Sequence, residues 1–292
     1  MNSELCSHSS SWLDKTAPEQ DVVVSSRVRL ARNLTRIPFA TFAKPAELIE
    51  VLQKIGMAVS AIPGFANFQP LLLTDLKAVD RKFLKESHVI SPEMEKPRYQ
   101  RLIYVSLDYH FSLMLNEEDH LRLQGLMPGL QIEEILSRIV TLDEALINAL
   151  PIAFSPDFGF LTACPTNLGT GLRVSVMMHL PGLALLAHIE KVVSAIQPLG
   201  ITVRGFYGEN SEFMGDLYQI SNEISLGKTE EEITRTLMDV VKEIIGQEKS
   251  ARQTIFHERS SYAEDLVWRS FGLLSQARTM STEEAMSLLS RI

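Results

Sequence analysis

Apolar residues recur along this chain in two periods. Leu48, Val51, Leu52 and Ile55 repeat at i, i+3, i+4, i+7 behind Pro45, which predicts a helix over 45–60 with proline in its first turn. The same spacing predicts helices over 131–147 (Ile132, Ile135, Leu136, Ile139) and 184–196 (Leu185, Leu186, Ile189, Val192, Val193, Ile196). A further helix runs from 230 onward (Ile233, Leu237, Val240, Val241, Ile244), opened by a Thr229/Glu232 capping box. Alternating or β-branched runs predict strands over 21–30, 101–115, 118–124, 160–165, 171–180, 201–206 and 216–221. Helices and strands are mixed, and several strands carry one polar face. The expected fold is therefore α+β, an antiparallel sheet covered by helices. Residues 1–20 read as a flexible leader and 251–292 as a small, separate helical segment.

The alternation also assigns faces, because every second residue of a strand points the same way. Arg27 and Arg29 share one face of their strand, with Val28 and Leu30 on the other. Glu118 and Arg122 lie together opposite Leu121 and Leu123, and Arg173 is set against Leu172, Val174 and Val176. One polar strand face ordinarily just meets water. Three that each present arginine rather than lysine suit a bidentate grip on phosphate oxygens. Between Val22 and Ala43 stand Arg27, Arg29, Arg32 and Arg36 with no acid, inside a chain whose 28 basic and 36 acidic residues give a net charge of −8. The average excludes a general nucleic-acid or anionic-lipid binder, whereas the island calls for a compact polyanion.

Other chemistries find little support. Two cysteines, Cys6 and Cys164, make no disulfide framework and no thiolate-rich zinc site. The seven histidines show no ligand spacing, so no metal-binding residue is expected. Asn222–Thr229 imitates the end of a P-loop but begins with Asn and follows no buried parallel strand. Gly169-Thr170-Gly171 lacks the third glycine of a dinucleotide fingerprint. The polar start of the chain is no signal peptide, and the longest apolar stretch, near Met177 to Ile189, is broken by His179, Pro181, Gly182 and His188. A cytoplasmic protein is expected.

Four blocks, in order, resemble the catalytic motifs of the phosphagen (guanidino) kinases: Ser25-Ser26-Arg27-Val28-Arg29-Leu30-Ala31-Arg32-Asn33, Asn116-Glu117-Glu118-Asp119-His120-Leu121-Arg122, Cys164 to Arg173, and Arg204-Gly205-x-x-Gly208-Glu209. Arg173-x-Ser175-Val176-Met177, Tyr207-Gly208-Glu209, Tyr218 to Asn222 and the closing Ala277 to Ala285 are most similar to the bacterial protein-arginine kinase branch. Kinases of free guanidino compounds carry an N-terminal helical domain that helps enclose the small substrate. Here the first catalytic strand begins at residue 21, and a more open site suits an arginine held in a protein.

The resemblance implies a guanidino-kinase catalytic domain over 21–250 that uses ATP with Mg²⁺. Its nucleotide site would comprise Ser25, Ser26, Arg27, Val28, Arg29, His88, Arg122, Arg173, Val174, Ser175, Val176, Met177, Arg204, Gly205, Phe206, Tyr207 and Gly208. Glu118 and Glu209 would orient and deprotonate the acceptor guanidinium, with Cys164 beside it. Asn210 follows Glu209 where the family shows Gly. Implied partners are proteins with exposed arginines, a transcriptional repressor, an activator protein and a Clp-type unfoldase, in a bacterial stress response, with no direct nucleic-acid or membrane contact. The branch also implies a homodimer and a C-terminal Arg-Asp-x-x-Arg-Ala phosphoarginine sensor; that stretch does not occur up to Ile292. Two alternatives are a kinase of a free guanidino compound such as L-arginine and a non-catalytic adaptor that binds phosphoarginine or a partner protein.

Overall fold

A computed structural model describes residues 16–96, 100–205 and 214–292. In chain order its strands are β1 (Val23–Arg32), β2 (Phe68–Leu72), β3 (Leu102–Ser106), β4 (Phe111–Leu115), β5 (Leu121–Pro128), β6 (Phe154–Ser155), β7 (Gly159–Phe160), β8 (Leu172–His179), β9 (Ile201–Arg204) and β10 (Leu217–Asn222). The helices are α1 (Pro45–Ala61), α2 (Ala78–Glu86), α3 (Pro92–Glu95), α4 (Ile132–Ala149), α5 (Pro181–Leu185), α6 (Ile189–Ile196), α7 (Glu230–Glu258), α8 (Ser260–Gln276) and α9 (Thr282–Leu289). Among the described residues eight strands form one antiparallel sheet in the order β2-β3-β4-β5-β1-β8-β10-β9, and β6 with β7 makes a separate hairpin.

The strand period decides what each side of the sheet does. Val28 and Leu30 of β1, Leu121 and Leu123 of β5, Val174 and Val176 of β8 and Ile220 of β10 are buried in the main core. There α4 packs on β1 and β5, and α7 on β8 and β10. Each fully buried aliphatic side chain contributes about 1.5–3 kcal/mol, so this face supplies the cohesion. On the opposite face α2 and α3 cover β3 and β4 through a second core of Leu84, Val89, Ile90, Met94, Ile103, Val105 and Met114. The rest of that face is left to the arginines.

Several expected elements are subdivided. The run 101–115 is two strands joined by a turn in which Ser106 Oγ accepts the Phe111 N–H at 2.9 Å and Tyr109 takes φ of 59°. The 184–196 helix is broken into α5 and α6: Ala187, at φ of 56°, closes α5, and the His188 N–H returns to Leu183 O. A non-glycine residue in that conformation leaves no sign in the sequence. Of 160–165 only Phe160 is in a strand, and Pro165–Asn167 form a single 3-10 turn. The Thr229/Glu232 box is present, with reciprocal bonds of 2.8 and 3.1 Å.

Both expected appendages are tied down where they are described. Pro18 O accepts the Leu130 N–H at 2.8 Å, and Glu19 meets Lys249 Nζ at 2.6 Å. The helical end returns to the sheet through Ser290, whose Oγ donates to Asp216 Oδ2 at 2.7 Å and meets His179 Nε2 at 2.9 Å. Helix α7 runs unbroken across residue 250.

Arg32 and Arg36, grouped with the arginine island in the sequence, serve elsewhere. Arg32 is buried, pairs with Asp143 at 2.7 Å, donates to Thr170 O and lies 3.6 Å from the Phe160 ring centre. Arg36 is exposed in a turn. Removing one partner of a buried ion pair strands the other charge. Asp143→Ala is expected to lower unfolding stability by about 3–5 kcal/mol, read from urea titration midpoints; a change near zero would contradict a structural role for Arg32.

Candidate active site

Register brings the remaining arginines together. Across the central strands Arg27 lies opposite Ser175, Arg29 opposite both Arg173 and Gln124, and Gln219 opposite Arg204. Of these, Arg27, Arg29, Gln124, Arg173, Arg204 and Gln219, with Lys85, His88, Ser91, Glu118, Arg122, Cys164 and Asn167, line one cavity of about 240 Å³. Among the described residues six cationic side chains face one carboxylate there, which makes the cavity a receptor for an anion.

Like charges directly opposite each other on neighbouring strands destabilise a sheet, so the cluster carries a folding cost that a ligand can relieve. Burial first, then Arg173 and Arg122, lowers Arg27 to about 10. Arg29 is held well below the ordinary arginine value by burial and by Arg27, Arg122 and Arg173, and its buried Nε makes no hydrogen bond. Arg27 is aimed by Gln219 Oε1 at 2.7 Å and Ser175 Oγ at 3.4 Å. Gln219, Gln124, Lys85 and Ser91 are additions to the site expected from the sequence. Their only available signal is position on the polar strand face or beside His88.

His88 sits between α2 and α3 at φ of 56°, with its carbonyl accepting Gln124 Nε2 at 2.7 Å. Burial, then Arg27 and Arg29, pulls its imidazole down to about 3. The ring is therefore neutral near pH 7. Its C–H proton resonances are expected to stay flat between about pH 5 and 8, where an ordinary histidine titrates; a midpoint in that window would contradict the described burial. Ser25, Ser175 and Met177 join Arg27, His88 and Gln219 around an adjoining hollow of about 20 Å³.

Other expected site residues point away. Val28, Val174 and Val176 are fully buried in the main core, because alternation sends them to the opposite face. Ser26 is also fully buried, donating to Gly129 O at 2.7 Å and accepting the Gln131 N–H at 3.1 Å. Gly205 is described, next to Arg204, and is buried. Phe206, Tyr207, Gly208, Glu209 and Asn210 lie outside the described residues.

Glu118 reaches the cavity from a loop, since β5 starts only at Leu121. The loop is pinned on three sides. Asn116 donates to Leu48 O and Gln100 O, and Asp119 Oδ1 accepts from Asn33 Nδ2 and the Ala163 N–H, both at 2.7 Å. His120 Nδ1 accepts the Leu34 N–H, so its Nε2 donates to Pro38 O. Glu118 is left facing the cavity, its side chain 40% exposed and 3.1 Å from Arg122 Nη2. Burial pushes its carboxyl above the ordinary value, Arg122 pulls it back, and Asp119 and Glu117 push it up again.

Cys164 precedes the 165–167 turn with Sγ 3.1 Å from Thr166 Oγ1. The two glycines that follow are required for backbone reasons. Gly169 has φ of 106°, and a Cβ there would come within 2.8 Å of Leu226 and Ser225; Gly171 has φ of 67°, and a Cβ would meet Arg32 at 2.5 Å. Gly171 also lines the cavity.

A sheet face that gathers arginines around Glu118 and Cys164, under a helical cap, matches a known architecture. The family model of the ATP:guanido phosphotransferase C-terminal catalytic domain matches residues 50–251.

The chain belongs to the ATP:guanido phosphotransferase, or phosphagen kinase, family.

It is similar to the protein-arginine kinase of Desulforamulus reducens, 44% identical over 284 residues that cover 96% of this chain and 80% of that protein. The protein-arginine kinase of Bacillus cereus (strain ATCC 10987 / NRS 248) is 42% identical over 283 residues, with the same coverage. Among solved structures, the duplicated taurocyamine kinase of Schistosoma mansoni with bound transition-state-analogue components is similar at a TM-score of 0.72 and 28% identity. That match covers 82% of this chain but only 34% of the longer protein. Lombricine kinase follows at 0.71 and 26%, covering 87% and 72%. The guanidino kinase is thus an ATP-dependent phosphotransferase with a nitrogenous acceptor. No helix among the described residues is long and apolar enough to cross a membrane.

Proposed function

We propose that this guanidino kinase phosphorylates arginine side chains in proteins, with Mg-ATP as donor. The observation that carries the reading is the arginine cluster on one sheet face with Glu118 at its margin. Arg27, Arg29, Arg122, Arg173 and Arg204 take the phosphate oxygens, and His88 seats the nucleotide as a neutral ring. Phosphoryl transfer asks the protein mainly for charge neutralisation and alignment, which such a cluster supplies. Magnesium enters as part of Mg-ATP, held by phosphate oxygens and water. Among the described residues no three or more His, Cys, Asp or Glu gather into a metal-holding group.

A protonated guanidinium is no nucleophile, so the acceptor must be held in plane and lose a proton. Glu118 does both, and its carboxyl, pushed above the ordinary glutamate value mainly by burial, is brought closer to that task. By family resemblance Glu209 is the second carboxylate, and Cys164 lies near the acceptor without forming a covalent intermediate. Residues 21–250 form the catalytic unit and 251–292 a helical segment. The names of the relatives favour a protein-bound arginine over a free one. A bacterial stress response, with a repressor substrate, an activator and delivery to a Clp-type unfoldase in the cytoplasm, is the biological setting this reading carries.

The discriminating experiment measures ADP release from Mg-ATP with an unfolded arginine-containing protein, with free L-arginine, and with neither. Turnover with the protein alone is expected. Turnover only with free arginine would replace this reading by that of a small-molecule guanidino kinase, and no turnover with either acceptor would favour an adaptor.

A further inference from the structure

We infer that Glu117 is a positioning residue for phosphoryl transfer: one buried carboxylate fixes Arg122, the main chain of Glu118 and the segment carrying His88 in a single arrangement. The inference rests on the proposed role of Glu118. The Glu117 side chain is only 5% exposed. Its Oε1 accepts from Arg122 Nη1 at 2.8 Å and from Ser91 Oγ at 2.7 Å, and its Oε2 accepts the Glu118 N–H at 2.9 Å. Two other pieces of chain meet on it, strand β5 and the cap of α3 three residues beyond His88, and it braces the main chain of its own loop next to Glu118.

The division of Arg122 is the functional point. Arginine and a carboxylate pair best through two parallel bonds. Here Glu117 occupies Nη1, so only Nη2 reaches Glu118, at 3.1 Å. Among the described residues no other side chain hydrogen-bonds the Glu118 carboxylate. Without Glu117, Arg122 could swing into a bidentate pair with Glu118 and take the edge that a substrate guanidinium needs. Glu117 thereby keeps Arg122 partly turned to phosphate and Glu118 open to the acceptor.

The charges around Glu118 give a readout that a structural role would not move. On its own loop stand Glu117 and Asp119, on β5 Arg122, across the cavity Arg27, Arg29, Arg173 and Arg204 with Lys85, His88 and Cys164, and on its outer side Glu93 and Arg101. Glu117 pushes the Glu118 carboxyl up and Arg122 pulls it down. Removing the Glu117 charge lowers Glu118 directly and also releases Arg122 to pair with it fully.

The test compares pH–rate profiles of kcat for the wild type, Glu117→Gln, Glu117→Asp and Ser91→Ala, with melting temperature as the folding control. Glu117→Gln is expected to lower kcat about 10- to 100-fold by misalignment and to move the acid limb to lower pH. Glu117→Asp should return the limb toward its original position, because the charge is restored. Ser91→Ala should leave the limb in place. A Glu117→Gln enzyme with an unmoved limb would overturn the inference, whether kcat falls with melting temperature or stays unchanged. Glu118→Gln run in parallel separates the two readings: if that enzyme stays active, the role of Glu118 itself has failed.

Discussion

Glu118→Gln is expected to slow phosphoryl transfer by about 10²- to 10⁴-fold while nucleotide affinity stays within a few-fold of wild type. The substitution keeps volume and shape, so the loop held by Asn116, Asp119 and His120 is retained and Arg122 Nη2 keeps an oxygen to bond. What disappears is the acceptor for the guanidinium proton and the charge that holds the guanidinium plane. The wild-type acid limb should therefore follow Glu118. Its carboxyl lies above the ordinary glutamate value of 4.5, so activity is full above that raised value and falls as pH drops through it. A Glu118→Gln enzyme within about tenfold of wild type would assign the base elsewhere.

Arg29→Met should move activity and stability in opposite directions. The arginine sits opposite Arg173, among Arg27 and Arg122, with a buried Nε that makes no hydrogen bond and with Glu117 as the opposing charge. Without a ligand this is a locally frustrated position, and under the proposed function a bound triphosphate would reverse the sign of its surroundings. Removing one such donor is expected to cost about 10²- to 10³-fold in kcat. The same change should raise unfolding stability of the nucleotide-free protein by about 0.5–2 kcal/mol, as relieved active-site strain commonly does. Denaturant titration and steady-state kinetics on one preparation check both halves. A destabilised Arg29→Met protein would mean that the arginine supports the fold.

Strand alternation makes the arginine cluster legible in the sequence: Arg27, Arg29, Arg122 and Arg173 alternate with buried aliphatics, and strand register brings them together. Motif blocks are less selective than alternation. They carry Ser26, Val28, Val174 and Val176 along with their neighbours, although pleating turns those side chains into the core. Arg32 departs from the island for a related reason, since at the end of β1 it turns to Asp143 and Phe160. Nothing in the sequence separates Glu117 from Glu118 either. That choice is made by the loop opening at Asn116, with φ of 57°, and by three long-range anchors far away in the chain. Breaks at Ala187 and Tyr109 leave no trace in the residue pattern because neither is a glycine.

The central claim is that the arginine-lined face delivers the γ-phosphate of ATP to a guanidinium nitrogen of a protein. Its most direct test incubates the enzyme with Mg-ATP and an unfolded substrate protein, then localises the transferred phosphate by mass spectrometry under non-acidic conditions. Acid-labile, base-stable phosphate on arginine side chains, lost with Glu118→Gln, is the expected result. Phosphate on serine, threonine or tyrosine, or none on the protein while free arginine is phosphorylated, would contradict it.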